Sequence, residues 1–152
     1  MEIPFYRQEN EGYCGPAVLQ MALAALGTDL SQKELAEEAY TPLNDPDHGT
    51  EVADMVRVLE AHGARVQAQN GTALADVAAA LEAGKIAVIA FTERHYGWGH
   101  YSIIKKIDAT HVHLLDPDED SGGEPMAREE FESRWQDPKH TKTDHWAAFV
   151  GA

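Results

Sequence analysis

Between Ala17 and Gly27 the chain reads Ala-Val-Leu-Gln-Met-Ala-Leu-Ala-Ala-Leu-Gly, apolar at every position but Gln20 and rich in helix formers. A helix apolar on nearly every side must be buried, and the closing glycine suits its C′ position. Cys14-Gly15-Pro16 stands directly before it, so a thiol is expected at the mouth of a central helix, with proline acceptable in the first turn. Ser31-Gln32-Lys33-Glu34 has capping-box spacing and predicts a short helix to about Ala39. A loop rich in Pro, Asp, Asn and Gly follows from Thr41 to Gly49. Thr50 is then expected to cap a helix whose Val52, Met55, Val56 and Leu59 form one stripe, ending at Gly63. A further helix is predicted from about Thr72 to Ala83, with Leu74, Val77, Ala78 and Leu81 inward and Gly84 as its stop.

After Gly84 the periodicity changes. Ile86-Ala-Val-Ile-Ala-Phe91 is a continuous β-prone run, as expected of a strand covered on both faces. Tyr101 to Ile107 and His111 to Leu115 predict two more strands, joined through Asp108-Ala109-Thr110 as a tight hairpin. Met126 to Trp135 reads as a helix and Trp146 to Val150 as a last strand. No repeat, low-complexity tract or linker interrupts this order. Helices first and an antiparallel sheet second is the α+β pattern, and 152 residues suit a single domain spanning 1–152.

Charge narrows the partners. With 26 Asp and Glu against 12 Lys and Arg, the formal charge of −14 repels a phosphate backbone or an anionic membrane surface, so no nucleic-acid partner is expected. A cationic peptide or amine-bearing substrate suits that field better, although an acidic surface also serves solubility alone. No stretch approaches the ~20 apolar residues of a membrane span, and the start lacks the basic and apolar segments of a signal peptide. The single cysteine forms no internal disulfide, and a cytoplasmic setting is expected.

That cysteine is either a small buried hydrophobe or a reactive thiol. A helix N-terminus and an adjacent imidazolium both favour negative sulfur, and Cys14 is expected at such a terminus. Gln8 lies six residues upstream, and the turn Glu11-Gly12-Tyr13 lets the chain fold back on it. Thiol attack on a carbonyl builds an oxyanion, which a Gln amide and the nucleophile's own backbone N–H can hold together. Downstream, Gly97-Trp98-Gly99-His100-Tyr101 sets a histidine at the predicted first position of a strand, reachable by thiol and substrate alike. Asp116 falls sixteen residues later, at the end of the paired strand before Pro117, near-opposite His100 across the hairpin. By itself an Asp-Pro pair also serves to start a turn.

Gln8-x5-Cys14-Gly-Pro-Ala, Gly99-His100-Tyr101 and Leu115-Asp116-Pro117 together resemble the C39-like branch of the papain-like cysteine peptidases, in order and spacing over most of the chain. The resemblance implies a papain-like α+β fold, with Cys14 as nucleophile, His100 as base, Asp116 orienting the base and Gln8 in the oxyanion hole. It implies a peptide or amide substrate and no cofactor. Trp98, Gly99 and Tyr13 are the candidate substrate contacts; an indole between two glycines beside the base could wall a cleft or simply cover core. Members that process double-glycine leader peptides carry an acidic residue before the cysteine and are fused to a membrane exporter. Here Tyr13 takes that position, and the 152 residues hold no nucleotide-binding motif.

Two other classes compete with hydrolysis. An acyl-enzyme captured by an amine or thiol would make the protein a transferase, as in phytochelatin-synthase-like chemistry, and a retained fold without catalysis would make it a peptide-binding module. A metal reading rests on His95, His100, His111 and His113 in one strand region, but no second cysteine and no His-Glu-x-x-His helix accompanies them. The acidic run Asp116 to Asp120 lacks the closing Glu of an EF-hand loop, so no metal is expected.

Overall fold

A computed structural model describes residues 2–45 and 47–152, so Met1 and Pro46 of the predicted 41–49 loop lie outside the described residues. The order is α1 (Cys14–Ala25), α2 (Gln32–Glu38), α3 (Val52–Ala61), β1 (Arg65–Gln69), α4 (Leu74–Glu82), β2 (Ile86–Thr92), β3 (Gly99–Ile107), β4 (His111–Leu115), β5 (Met126–Ala127), α5 (Arg128–Arg134), β6 (Gln136–Asp137), β7 (Thr143–Asp144) and β8 (Ala147–Gly151). Six strands form one sheet in the order β1-β8-β2-β3-β4-β5, every described pairing antiparallel, and β6 pairs with β7 separately.

The uninterrupted apolar run of β2 follows from its central place. Ile86, Val88 and Ala90 pack with Val18, Leu19 and Leu23 of α1, while Ala87, Ile89 and Phe91 pack with Val77 of α4 and Phe131 of α5. Helices therefore cover both faces of an antiparallel sheet, and the period-2 alternation separates two cores rather than core from solvent. Helix α1 is buried from Cys14 through Leu19 and again from Met21 to Leu23, with Gln20 partly buried, as its composition requires.

Several expectations change in detail. Helix α1 starts at Cys14 itself, so the cysteine is the first helical residue. Thr50 does not cap α3; Glu51 takes the N-cap position without a side-chain cap, and Thr50 is buried as a junction instead. On α4 the buried residues are Leu74, Val77 and Ala80, while Ala78 and Leu81 are only partly covered. Strand β1 is an addition, since Arg-Val-Gln-Ala-Gln offers only two apolar side chains and sits largely exposed at the sheet edge. The predicted 126–135 helix splits into β5 and α5 because Met126 and Ala127 pair with Val112 and His111. Strand β3 begins at Gly99, so His100 is its second residue.

Candidate active site

Cys14 is brought to the cleft by the tight seating of the α1 mouth. A Cβ on Gly15 would lie 2.3 Å from the Thr50 Oγ1, so only glycine lets the helix approach this closely. Thr50 in turn shares a 2.6 Å hydroxyl contact with Thr41, and its carbonyl accepts the buried Tyr101 hydroxyl at 2.6 Å. One residue of the 41–51 segment thus locks the start of α1 to β3. The Cys14 and Gly15 N–H groups belong to the first turn, where a helix provides no internal acceptor.

His100 pairs in register with Phe91 on β2, whose ring meets the imidazole edge-on at 5.7 Å. Its Nε2 lies 2.5 Å from Asp116 Oδ1, with both side chains nearly buried. That leaves Nδ1 clear of the carboxylate, on a ring that lines the same cleft as Cys14. Burial opposes a charged imidazole here, yet Asp116 and Cys14 outweigh it and hold the His100 pKa well above its ordinary value. Asp116 is fixed independently: its Oδ1 also accepts the Asp118 N–H at 3.0 Å, and its own N–H donates to the Gly122 carbonyl. Asp118, beside this pair, is pushed up by partial burial and by the neighbouring Asp116 charge.

Gln8 reaches the same place through the backbone. Its N–H donates to the Pro117 carbonyl at 2.9 Å, which ties the N-terminal segment to the turn that carries Asp116. Gln32, buried on α2, clamps the segment from the other side: its Oε1 accepts the Glu9 N–H, and its Nε2 donates to the Arg7 carbonyl and to Gln20. The Gln8 Nε2 donates to the Asn10 carbonyl at 3.2 Å, and its buried Oε1 has no partner among the described residues.

These groups line one cleft of about 900 Å³, into which Gln8, Cys14, Trp98, Gly99 and His100 all open. Trp98 stacks on Tyr96 with ring centroids 5.0 Å apart, and the pair forms part of the wall. Gly99 packs against the buried carboxylate of Asp137, where an added Cβ would fall 2.1 Å from Oδ2. Asp137 accepts N–H bonds from His140 and Thr141 and the Thr141 hydroxyl, which brings the 139–142 turn onto the cleft rim. Tyr13 is placed differently from the expectation for a substrate contact: it is buried as the α1 N-cap and is not among the residues lining the cleft.

The histidines of the metal reading are dispersed among separate partners. His95 pairs with Glu119, His113 with Asp108, and His111 with the Thr110 hydroxyl, and among the described residues no three ligating side chains converge. Three polar residues that position the site carried no sequence signal: Gln32, Glu93 and Asp137. Each is a lone polar residue whose burial no local motif signals: Gln32 is enclosed by the N-terminal segment, Glu93 and Asp137 by the irregular turns they themselves hold.

The family model described as Peptidase C39 family matches residues 2–139. An uncharacterised protein of Methanothermobacter marburgensis is 28% identical over 112 residues, covering 72% of this chain and 69% of that protein. Among solved structures, the peptidase domain of Streptococcus ComA, a bifunctional ABC transporter involved in quorum sensing, superposes with a TM-score of 0.76 at 18% identity, over 99% of this chain and 98% of that one. A double-glycine-motif protease from an AMS/PCAT transporter, in complex with its leader peptide, gives a TM-score of 0.70 at 15% identity, over 99% and 93%. The papain-like α+β fold implied by the sequence resemblance is the fold observed.

Proposed function

The chain belongs to the Peptidase C39 family, and on that premise we propose that it is a single-domain cysteine peptidase acting through a thioester on Cys14. The reading is supported by one arrangement: Cys14 at a helix mouth opens into the same cleft as His100, whose ring is paired with the buried carboxylate of Asp116. With the thiol proton already passed to Nδ1 of His100, the Cys14 Sγ attacks the substrate carbonyl carbon. The oxyanion is held by the Cys14 N–H and by the Gln8 amide, which has a second N–H beyond the one given to Asn10 and is not locked at its oxygen end. As the C–N bond breaks, His100 delivers its proton to the departing amine, leaving an acyl thioester. Water, deprotonated by His100, then attacks the thioester and restores the thiol. Asp116 keeps the Nε2 proton oriented and supports the imidazolium throughout.

A peptide is the proposed substrate, supported by the leader peptide bound to the transporter protease of the same fold. A reducing compartment such as the cytoplasm suits a thiol nucleophile without a disulfide partner. Among the described residues no helix is long and apolar enough to cross a membrane.

The test is turnover of a peptide library read by product mass, in the presence and absence of free amines. Hydrolysed products are expected, with Cys14→Ala inactive and His100→Ala reduced by roughly 10³-fold or more. Products carrying the added amine would assign transfer instead. Turnover that survives Cys14→Ala removes the reading, because the chain has no other cysteine.

A further inference from the structure

Glu93 is a buried carboxylate for which the reaction above has no use. It follows the last residue of β2 and faces the turn that leads into β3. One of its oxygens accepts the His95 N–H at 2.7 Å; the other accepts the N–H groups of Tyr96 at 2.7 Å and Trp98 at 3.2 Å. Its own N–H closes the turn by donating to the Trp98 carbonyl at 2.9 Å. Three otherwise unpaired backbone donors are thus gathered on one side chain, and buried donors without acceptors are costly. At the far end of this closed turn stand Trp98, stacked on Tyr96, and then His100, two residues along.

We propose that Glu93 is a positioning residue for the site: its carboxylate holds the 95–98 turn closed, and thereby sets the Trp98–Tyr96 wall of the cleft and the approach of His100. The inference rests on the peptidase reading only for the consequence to turnover. The cleft wall so fixed is a flat, rigid aromatic surface, fitted to an apolar side chain of a bound peptide flanking the bond that is cut.

Charge gives the same residue a second effect. The ionisable groups about His100 at this end of the cleft are Cys14, Glu93, His95, Asp116, Asp118 and Glu119, with Arg94, Glu124, Lys139 and His140 at its margin; His95 pairs with Glu119 and Arg94 with Glu130. Burial pushes the Glu93 pKa up, but the three backbone N–H bonds and the His100 charge bring it below its ordinary value. Glu93 is therefore an anion at neutral pH, where it and the His100 cation favour each other's charge.

The experiment compares Glu93→Gln, Glu93→Ala and Trp98→Ala with the unaltered protein in three measurements. Hydrogen exchange should show the amides of His95, Tyr96 and Trp98 losing protection in Glu93→Ala and keeping part of it in Glu93→Gln. Histidine-ring NMR without substrate should show the His100 titration midpoint falling in Glu93→Gln, which retains an acceptor but not the charge. Peptide turnover should show KM raised about 3- to 10-fold in Glu93→Gln and in Trp98→Ala, with the alkaline limb of the pH profile displaced in the former alone. Unchanged exchange in Glu93→Gln and Glu93→Ala, or an unmoved His100 midpoint in Glu93→Gln, overturns the proposal. If Glu93→Ala does not fold, Glu93→Gln decides. The first two readouts need no turnover, so absence of peptidase activity would count against the enzyme reading and leave the role of Glu93 to be judged on exchange and titration.

Discussion

His100 carries a carboxylate on one ring nitrogen and shares its cleft with Cys14, and this fixes the sign of its pH behaviour. Its pKa is raised because Asp116 and Cys14 outweigh burial, so the imidazolium persists above pH ~6.5 and is lost only as pH climbs through the folded value. If that cation delivers the proton to the leaving amine, kcat/KM should fall along an alkaline limb lying above the ordinary histidine range. Asp116→Asn removes the supporting charge. The limb should then move to lower pH and activity at pH 8 fall by roughly 10²-fold or more; a limb that stays in place would show that Asp116 does not govern the base. The side chains proposed for the chemistry could be singled out in the sequence because each sits in a short local motif: a thiol before an apolar helix, a histidine after a glycine-flanked indole, an aspartate before a proline. Gln32, Glu93 and Asp137 could not, since no local motif announces that a polar side chain will be enclosed.

At the scale of elements, periodicity recovered whatever faced a core and missed whatever was built by pairing alone. Strand β2 and the β3–β4 hairpin were readable because apolar runs bounded by turn residues have few alternatives. Strand β1 was not, because its alternation is weak and its partner β8 lies far downstream, at Ala147–Gly151. The irregularity between Ile104 and Lys106, where β3 slips against β4, also escapes local reading, although it determines how Asp116 meets His100. The junction of β3 with β6 is the place where a small change should be felt. Gly99→Ala forces a methyl group onto the Asp137 carboxylate, an overpacking expected to cost about 1–3 kcal/mol and to displace the 139–142 rim. A double-mutant cycle with Asp137→Ala, followed by urea unfolding, checks the cause. The Gly99→Ala penalty should shrink in the Asp137→Ala background, and strict additivity would contradict the steric account.

For the molecule as a whole, groups of opposite sign bracket the range of greatest stability. At His100 and His145 burial disfavours charge, but Asp116 with Cys14, and Asp144 with Glu132, raise the folded pKa. Relative to an unfolded value of ~6.5, their stabilisation is complete below that pH and fades as pH rises through the folded values. Glu93 and Asp108 run the other way. Burial works against Glu93 but its backbone bonds prevail, and the His113 hydrogen bond lowers Asp108; both stabilise above pH ~4 and lose their effect as pH falls further. The urea midpoint should therefore peak between about pH 5 and pH 6.5 and decline on both sides, and a level midpoint from pH 6 to pH 9 would show that the histidine pairs contribute nothing measurable.

Strand β8 gives the architecture a further consequence. It is made last of the thirteen elements named above, yet it lies between β1 and β2 rather than at a margin. A growing polypeptide thus carries Cys14 before either His100 or Asp116 has a finished sheet to hold it. The sheet that carries His100 and Asp116 stays split until β8 leaves the ribosome and slides into the gap. Synthesis itself withholds the proposed triad from the nascent chain, and a protein cut short before Ala147 would be left with a thiol and no finished cleft around it.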